Sequence, residues 1–247
     1  MPSLTPAEWL LAVGAAVSLG VGKAGLAGLS LLHVIAFAFL FGARDSTGVV
    51  LPLLLVGDVC AVVLYHQHAR WDYIRRMLPP ACLGVALAAA FMRGISDAAF
   101  RPLIGWIVLI LAILQGLRMQ RPALLGNIPH ARPVAWNIGM LAGISTMLAN
   151  AAGPVVTVYC VAIGLPKYEM VGTMAWFFFL INAFKVPFSA GLGLIRQDTL
   201  MLNAVLAPAV LVGILGGRLL LQRLPQELFH LLMLALAAVA ALRLILG

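Results

Sequence analysis

The sequence predicts an all-α polytopic membrane protein, and three observations carry that assignment. Of its 247 residues, 63% are hydrophobic and only 10% charged, whereas soluble domains carry about 25% charged residues. Mean hydropathy is +1.07, so apolar segments use up nearly the whole chain and leave no room for a soluble catalytic domain. Between Arg132 and Lys167 lie 34 residues without a formal charge. As one helix they would be roughly 51 Å long against a hydrocarbon core of about 30 Å. That run is too long for one straight crossing and too apolar for a soluble loop.

Segment one runs from Pro6 to Phe41 and is interrupted by the glycine-rich stretch GVGKAGLAG around Lys23. Its leading residues MPSLTPAEWLL lack a basic n-region, so it is expected to stay in the mature chain. Segment two, Thr47 to Tyr65, contains Pro52 and Asp58. A basic loop from His66 to Arg76 follows, with Trp71 and Tyr73 suited to the headgroup level. Segment three spans Met77 to Phe91 and segment four Pro102 to Leu117. The polar, Pro-containing stretch from Arg118 to Pro133 reads as a linker.

The second half repeats this plan, with a broken segment over 134–165 and further segments over 171–194, 199–217 and 226–246. Pro79 and Gly84 recur at the same spacing as Pro208 and Gly213. The expected organisation is therefore about eight apolar segments in two four-segment repeats. Residues 1–120 form the first, 121–133 the linker and 134–247 the second. If each broken segment crosses once, the Lys and Arg residues outside the deep positions divide eight to six between the two sides. If each is re-entrant, the repeats are inverted and the division is nine to five. The second division favours inversion, with Arg70, Arg75, Arg76, Arg118, Arg121 and Arg132 on the cytoplasmic side.

The net charge of +8 does not indicate a nucleic-acid partner, because the basic residues are scattered singly in short loops. Cys60, Cys82 and Cys160 lie in apolar spans without metal-ligand spacing, so no metal or cofactor is expected. Gly20, Gly22 and Gly25 formally match GxGxxG, but inside an apolar run rather than a strand–turn–helix. The GxxxG pairs Gly139/Gly143 and Gly213/Gly217 suit close helix approach. HExxH and GxSxG motifs are absent, so an enzyme is not expected. A lysine nucleophile or a Schiff base on Lys185 is the remaining enzymatic alternative.

The candidate site begins at Asn150-Ala-Ala-Gly153-Pro154, where Pro154 blocks helical continuation and Gly153 permits unusual backbone. Irregular backbone at membrane depth survives only where buried in protein or lining a polar cavity. Lys23, Asp58 and Lys185 lie well inside apolar segments, at about 2.5–3.5 kcal/mol each. The bland alternative is a Lys23–Asp58 ion pair, with Lys185 snorkelling from a helix end. Two cations against one anion, with the Asn150 and Asn182 amides and the Thr146 and Thr173 hydroxyls, suit a small oxyanion. Helix N-termini at the two breaks would add backbone donors. His33 reads either as a core histidine or as a proton-coupling partner of Asp58.

These residues form an ordered string that resembles the TauE/SafE sulfite exporter family, also called the toluene sulfonate uptake permeases. The resemblance covers about residues 10 to 240. Its first-half carriers are Gly22-Lys23-x-Gly25-x-x-Gly28, Leu51-Pro52 with Asp58, Trp71 and Leu78-Pro79. In the second half they are Gly143-Ile-Ser-Thr146-Met147-Leu-Ala-Asn150-Ala-Ala-Gly153-Pro154, Tyr159 and Leu165-Pro166-Lys167. Gly172-Thr173-x-Ala175-Trp176-Phe177-Phe178 and Asn182-Ala-Phe184-Lys185-Val-Pro187 complete the string. Ala24, Ala27 and His33 depart from the family pattern. The resemblance implies a multi-pass transporter of the bacterial inner membrane. It would export, or import, sulfite or small organosulfonates with the proton gradient. The expected substrate contacts are Gly22, Lys23, Gly25, Thr146, Asn150, Gly153, Thr173, Asn182 and Lys185, with Asp58 and His33 for proton coupling. An anion channel, or a permease for another solute, is the competing class.

Overall fold

Thr5 opens the first helix with a capping box. The Glu8 N–H donates to Thr5 Oγ1 at 3.4 Å, and the Thr5 N–H donates to Glu8 Oε2 at 2.7 Å. From there the computed structural model describes residues 4–24, 30–120 and 132–220. All regular structure among them is helical. In the first half it comprises α1 (Pro6–Lys23), α2 (Ser30–Phe41), α3 (Asp45–Tyr65), α4 (Trp71–Gly94) and α5 (Asp97–Gln120). In the second half it comprises α6 (Arg132–Ala149), α7 (Gly153–Ala162), α8 (Lys167–Gly191) and α9 (Gln197–Leu220). A 3₁₀ turn over His66–His68 joins α3 to α4. The expected linker over 121–133 and the last apolar segment, 226–246, lie outside the described residues apart from Arg132 and Pro133.

Among the described residues α3, α4, α8 and α9 are long and apolar enough to cross a membrane. Side chains such as Val63, Ile110 and Val212 are more than half exposed, a pattern that suits contact with lipid. The expected loop from His66 to Arg76 is shorter than the sequence indicated, because α4 already starts at Trp71 and carries Pro79 and Pro80 inside it. Likewise α5 starts at Asp97, ahead of Pro102. Hydropathy marks where a chain enters hydrocarbon, whereas a helix begins wherever its backbone bonds close.

The most extensive pairings are α4 with α6, α1 with α9, and α3 with α8. The first two rest on glycines. A methyl group on Gly143 would run into the Ala81 carbonyl, and one on Gly84 into the Met140 carbonyl. In the other pair, Gly20 faces the Val210 carbonyl and Gly213 the Val17 carbonyl. Such close backbone approach is how membrane helices gain packing energy where lipid offers no hydrophobic drive.

Helices α3 and α8 run antiparallel. Gly48, near the start of α3, lies on the Leu194 backbone just beyond α8. Gly172, near the start of α8, lies on the Tyr65 carbonyl at the end of α3. Ion pairs mark the two ends, Arg70–Glu169 at 2.9 Å and Arg196–Asp45 at 3.7 Å. Arg196 also bonds Asp198, at 3.1 Å. The α6–α7 segment turns back on itself. Gly139 in the first half of α6 packs on Met77, and Tyr159 in α7 packs edge-on against Tyr73 at 6.4 Å. Both contacts lie in the N-terminal part of α4.

Candidate functional site

The turn between α6 and α7 is built from one residue type used in an unusual conformation. Asn150 has φ of 53°, and it is the only described non-glycine residue with positive φ. Asparagine tolerates that region better than most residues and serves as a helix stop there. The Ala151 N–H donates back to the Ser145 carbonyl at 3.3 Å, closing the end of α6. Pro154 then sits in the first turn of α7, where its missing N–H costs nothing.

Both ends of the Asn150 amide are held. Its Nδ2 donates to the Thr47 carbonyl at 2.9 Å, and its Oδ1 accepts from Lys185 Nζ at 2.5 Å. Lys185 is 1% exposed, so it does not snorkel. Its Nζ also donates to the Thr146 carbonyl at 2.8 Å and to Thr146 Oγ1 at 3.2 Å. An ammonium has three donors and no acceptor, so these partners account for all of its donors. Lys185 thus ties α8 to the end of α6, and Asn150 carries the tie to the start of α3.

A second polar cluster lies across the α3–α8 pair. Lys23, the last residue of α1, forms an ion pair with Asp58, and its Nζ lies 4.9 Å from the centroid of the Phe178 ring. Asp58 is fully buried, and its Oδ2 accepts from Asn182 Nδ2 at 2.7 Å. The bland alternative for Lys23 is therefore what the structure contains, an internal ion pair, yet Lys23 also faces a cavity. Removing either partner of such a buried pair costs about 3–5 kcal/mol.

That cavity has a volume of about 60 Å³, several times the space one water needs. Gly22, Lys23, Thr146, Asn150, Gly153, Asn182 and His33 all line it. His33 is buried with both ring nitrogens unpaired, and Asn182 Oδ1 is also unpaired. Asp58 reaches the cavity through Lys23 and Asn182. Lys185 and Thr173 are not among the described lining residues. The Thr173 hydroxyl instead accepts the Arg70 N–H at 2.9 Å, at the α3–α4 connection. Gly25 lies outside the described residues.

The lining also includes residues that the sequence does not single out as contacts, Phe178 and Thr157 among them. Phe178 stands four positions before Asn182, one helical turn away on the same face. Thr157 stands four after Gly153 and donates to its carbonyl at 2.7 Å. The same-face spacing was the available signal for both. The turn-building role of Thr47 had none, because it acts through a backbone carbonyl.

The α7 N-terminus opens on this cavity through Ala152 and Gly153, without a side-chain cap. Broken helix, Lys23 and convergent amides together place a few polar groups on a mostly apolar pocket inside the bundle. Among curated proteins and among solved structures, no match was found. The family model described as sulfite exporter TauE/SafE, however, matches residues 10–244. That match spans nearly the whole chain, so this multi-pass membrane protein belongs to the TauE/SafE sulfite exporter family.

Proposed function

We propose that the protein is a carrier for sulfite or a small organosulfonate anion, and that the cavity beside Lys23 is its binding site. One observation carries the reading. Lys23, an uncapped helix N-terminus and the amides of Asn150 and Asn182 converge on one cavity of about 60 Å³. The free N–H groups and positive dipole end of α7 suit an anion. Lys23 and Gly153 are the direct contacts, with Gly22, Thr146, Asn150 and Asn182 around them. Lys185 is a positioning residue that acts through Asn150. Asp58 holds Lys23 in place, and with His33 it provides the groups for proton coupling.

The two halves are read as inverted repeats, and several pairings support this. The α4–α6 glycine contacts have counterparts in α1–α9 at matching positions. The antiparallel α3 and α8 would be equivalent helices crossing in opposite directions, with α6–α7 re-entering rather than crossing. Alternating access is then rocking of one repeat against the other around the cavity. The end bearing Arg70, Arg75 and Arg76 is assigned to the cytoplasm of a bacterial inner membrane.

The test is sulfite counterflow in proteoliposomes containing the intact chain. Saturable exchange that Lys23→Ala lowers at least tenfold in kcat/KM is the expected result. An ohmic current without exchange would make the protein a channel. Absence of both, with folded protein in the vesicles, would overturn the assignment.

A further inference from the structure

The charged side chains that line the cavity, or hydrogen-bond to a residue lining it, are Lys23, Asp58 and Lys185 among the described residues. Lys23 and Asp58 neutralise one another, and Lys185 leaves one positive charge. In a buried site the occupant that balances one charge is a monoanion, because a dianion would leave an uncompensated negative charge.

The hydrogen-bonding capacity points the same way. Asn182 donates its amide hydrogen to Asp58, so the Oδ1 left unpaired is an acceptor with no donor to receive. A neutral imidazole has one acceptor nitrogen, and both nitrogens of His33 are unpaired. Both side chains are only 2% exposed. A fully deprotonated oxyanion presents acceptors alone; it could accept the N–H of a neutral His33, but it would set oxygen lone pairs against the two acceptors, Asn182 Oδ1 and the other imidazole nitrogen. An occupant carrying its own O–H or N–H would satisfy one of them.

We infer that the cavity takes a singly charged sulfonyl or sulfite anion bearing a hydrogen-bond donor on its sulfur. Hydrogensulfite is one such species. The anionic oxygens face Lys23 and the α7 N-terminus, and the donor faces His33 or Asn182 Oδ1. This inference rests on the anion-carrier reading and narrows its substrate class.

Three probes of nearly equal size separate the terms. Sulfamate is a monoanion with N–H donors, methanesulfonate a monoanion without one, and sulfate a dianion without one. In sulfite counterflow at fixed pH, sulfamate should compete at about tenfold lower concentration than methanesulfonate, the difference one buried hydrogen bond makes. Sulfate should be the weakest. His33→Phe or Asn182→Leu should bring the sulfamate-to-methanesulfonate ratio toward one. Three results would overturn the inference while leaving the carrier intact. These are equal competition by the two monoanions, sulfate stronger than methanesulfonate, and a ratio unaltered in both variants. Failure of sulfite itself to exchange would instead remove the carrier reading on which the inference stands.

Discussion

Asn182 Nδ2 donates to Asp58 Oδ2 at 2.7 Å although 124 positions separate them in the chain. The same separation relates Gly48 to Gly172 and Asp45 to Glu169, each pair at corresponding points of α3 and α8. Asp58 and Asn182 therefore lie at corresponding points along the two antiparallel helices and meet there. Asp58→Asn leaves Lys23 without its carboxylate and should reduce sulfite exchange by more than tenfold, in line with about 3–5 kcal/mol for a broken buried pair. Exchanging the two, Asp58→Asn with Asn182→Asp, returns a carboxylate to the same point. The double variant should recover part of the lost exchange. A double variant no better than Asp58→Asn would show that the two positions are not interchangeable.

Lys23 and Lys185 should respond differently to substitution. Lys23 lines the cavity, and Lys23→Ala leaves the Asp58 carboxylate there to repel an anion. Half-saturating sulfite should rise by at least tenfold. Lys185 stands behind the cavity, its three donors spent on Thr146 and Asn150. Lys185→Met leaves those acceptors buried without partners, at about 1–3 kcal/mol. It should lower thermal stability and maximal exchange together, with a smaller effect on half-saturation. A Lys185→Met variant with full stability and raised half-saturation would make Lys185 a direct contact.

The sidedness of two short connections decides between inverted and parallel repeats. Gln67 lies between α3 and α4, and Asp198 lies at the start of α9. With re-entrant broken segments these sites face opposite compartments. With crossing segments they face the same one. Gln67→Cys and Asp198→Cys, each placed in a chain lacking Cys60, Cys82 and Cys160, should label from opposite sides with a membrane-impermeant thiol reagent. Labelling from one side would end the inverted reading.

The parts of the site that were legible in the sequence share one property, a residue type that hydrocarbon does not tolerate alone. Lys23, Asp58 and the break at Asn150 stood out for that reason, and Lys23 and Asp58 were identified as possible partners from their charges. Lys185 stood out too, but its partners did not. A carbonyl and an amide oxygen can satisfy an ammonium, and no charge pattern advertises them. Thr173 shows the opposite failure. A hydroxyl fits many roles, and this one caps a connection rather than lining the cavity. Helix starts were missed at Trp71 and Asp97 because charged residues continue a helix into the headgroup region. Hydropathy does not record that continuation.

The glycines that bring α4 to α6 and α1 to α9 make the last prediction. Added methyl groups on Gly143 and Gly213 would overlap the Ala81 and Val17 carbonyls, which are backbone atoms and cannot rotate away. Gly143→Val and Gly213→Val should each force the helix pair apart, at about 1–3 kcal/mol for overpacking. A lowered melting temperature in detergent is the readout. Gly14 on α1 has open space around it, and Gly14→Ala removes backbone entropy at no steric cost. It should melt at or slightly above the parent. Equal melting temperatures for all three variants would mean that these interfaces do not hold the helices at the separation described.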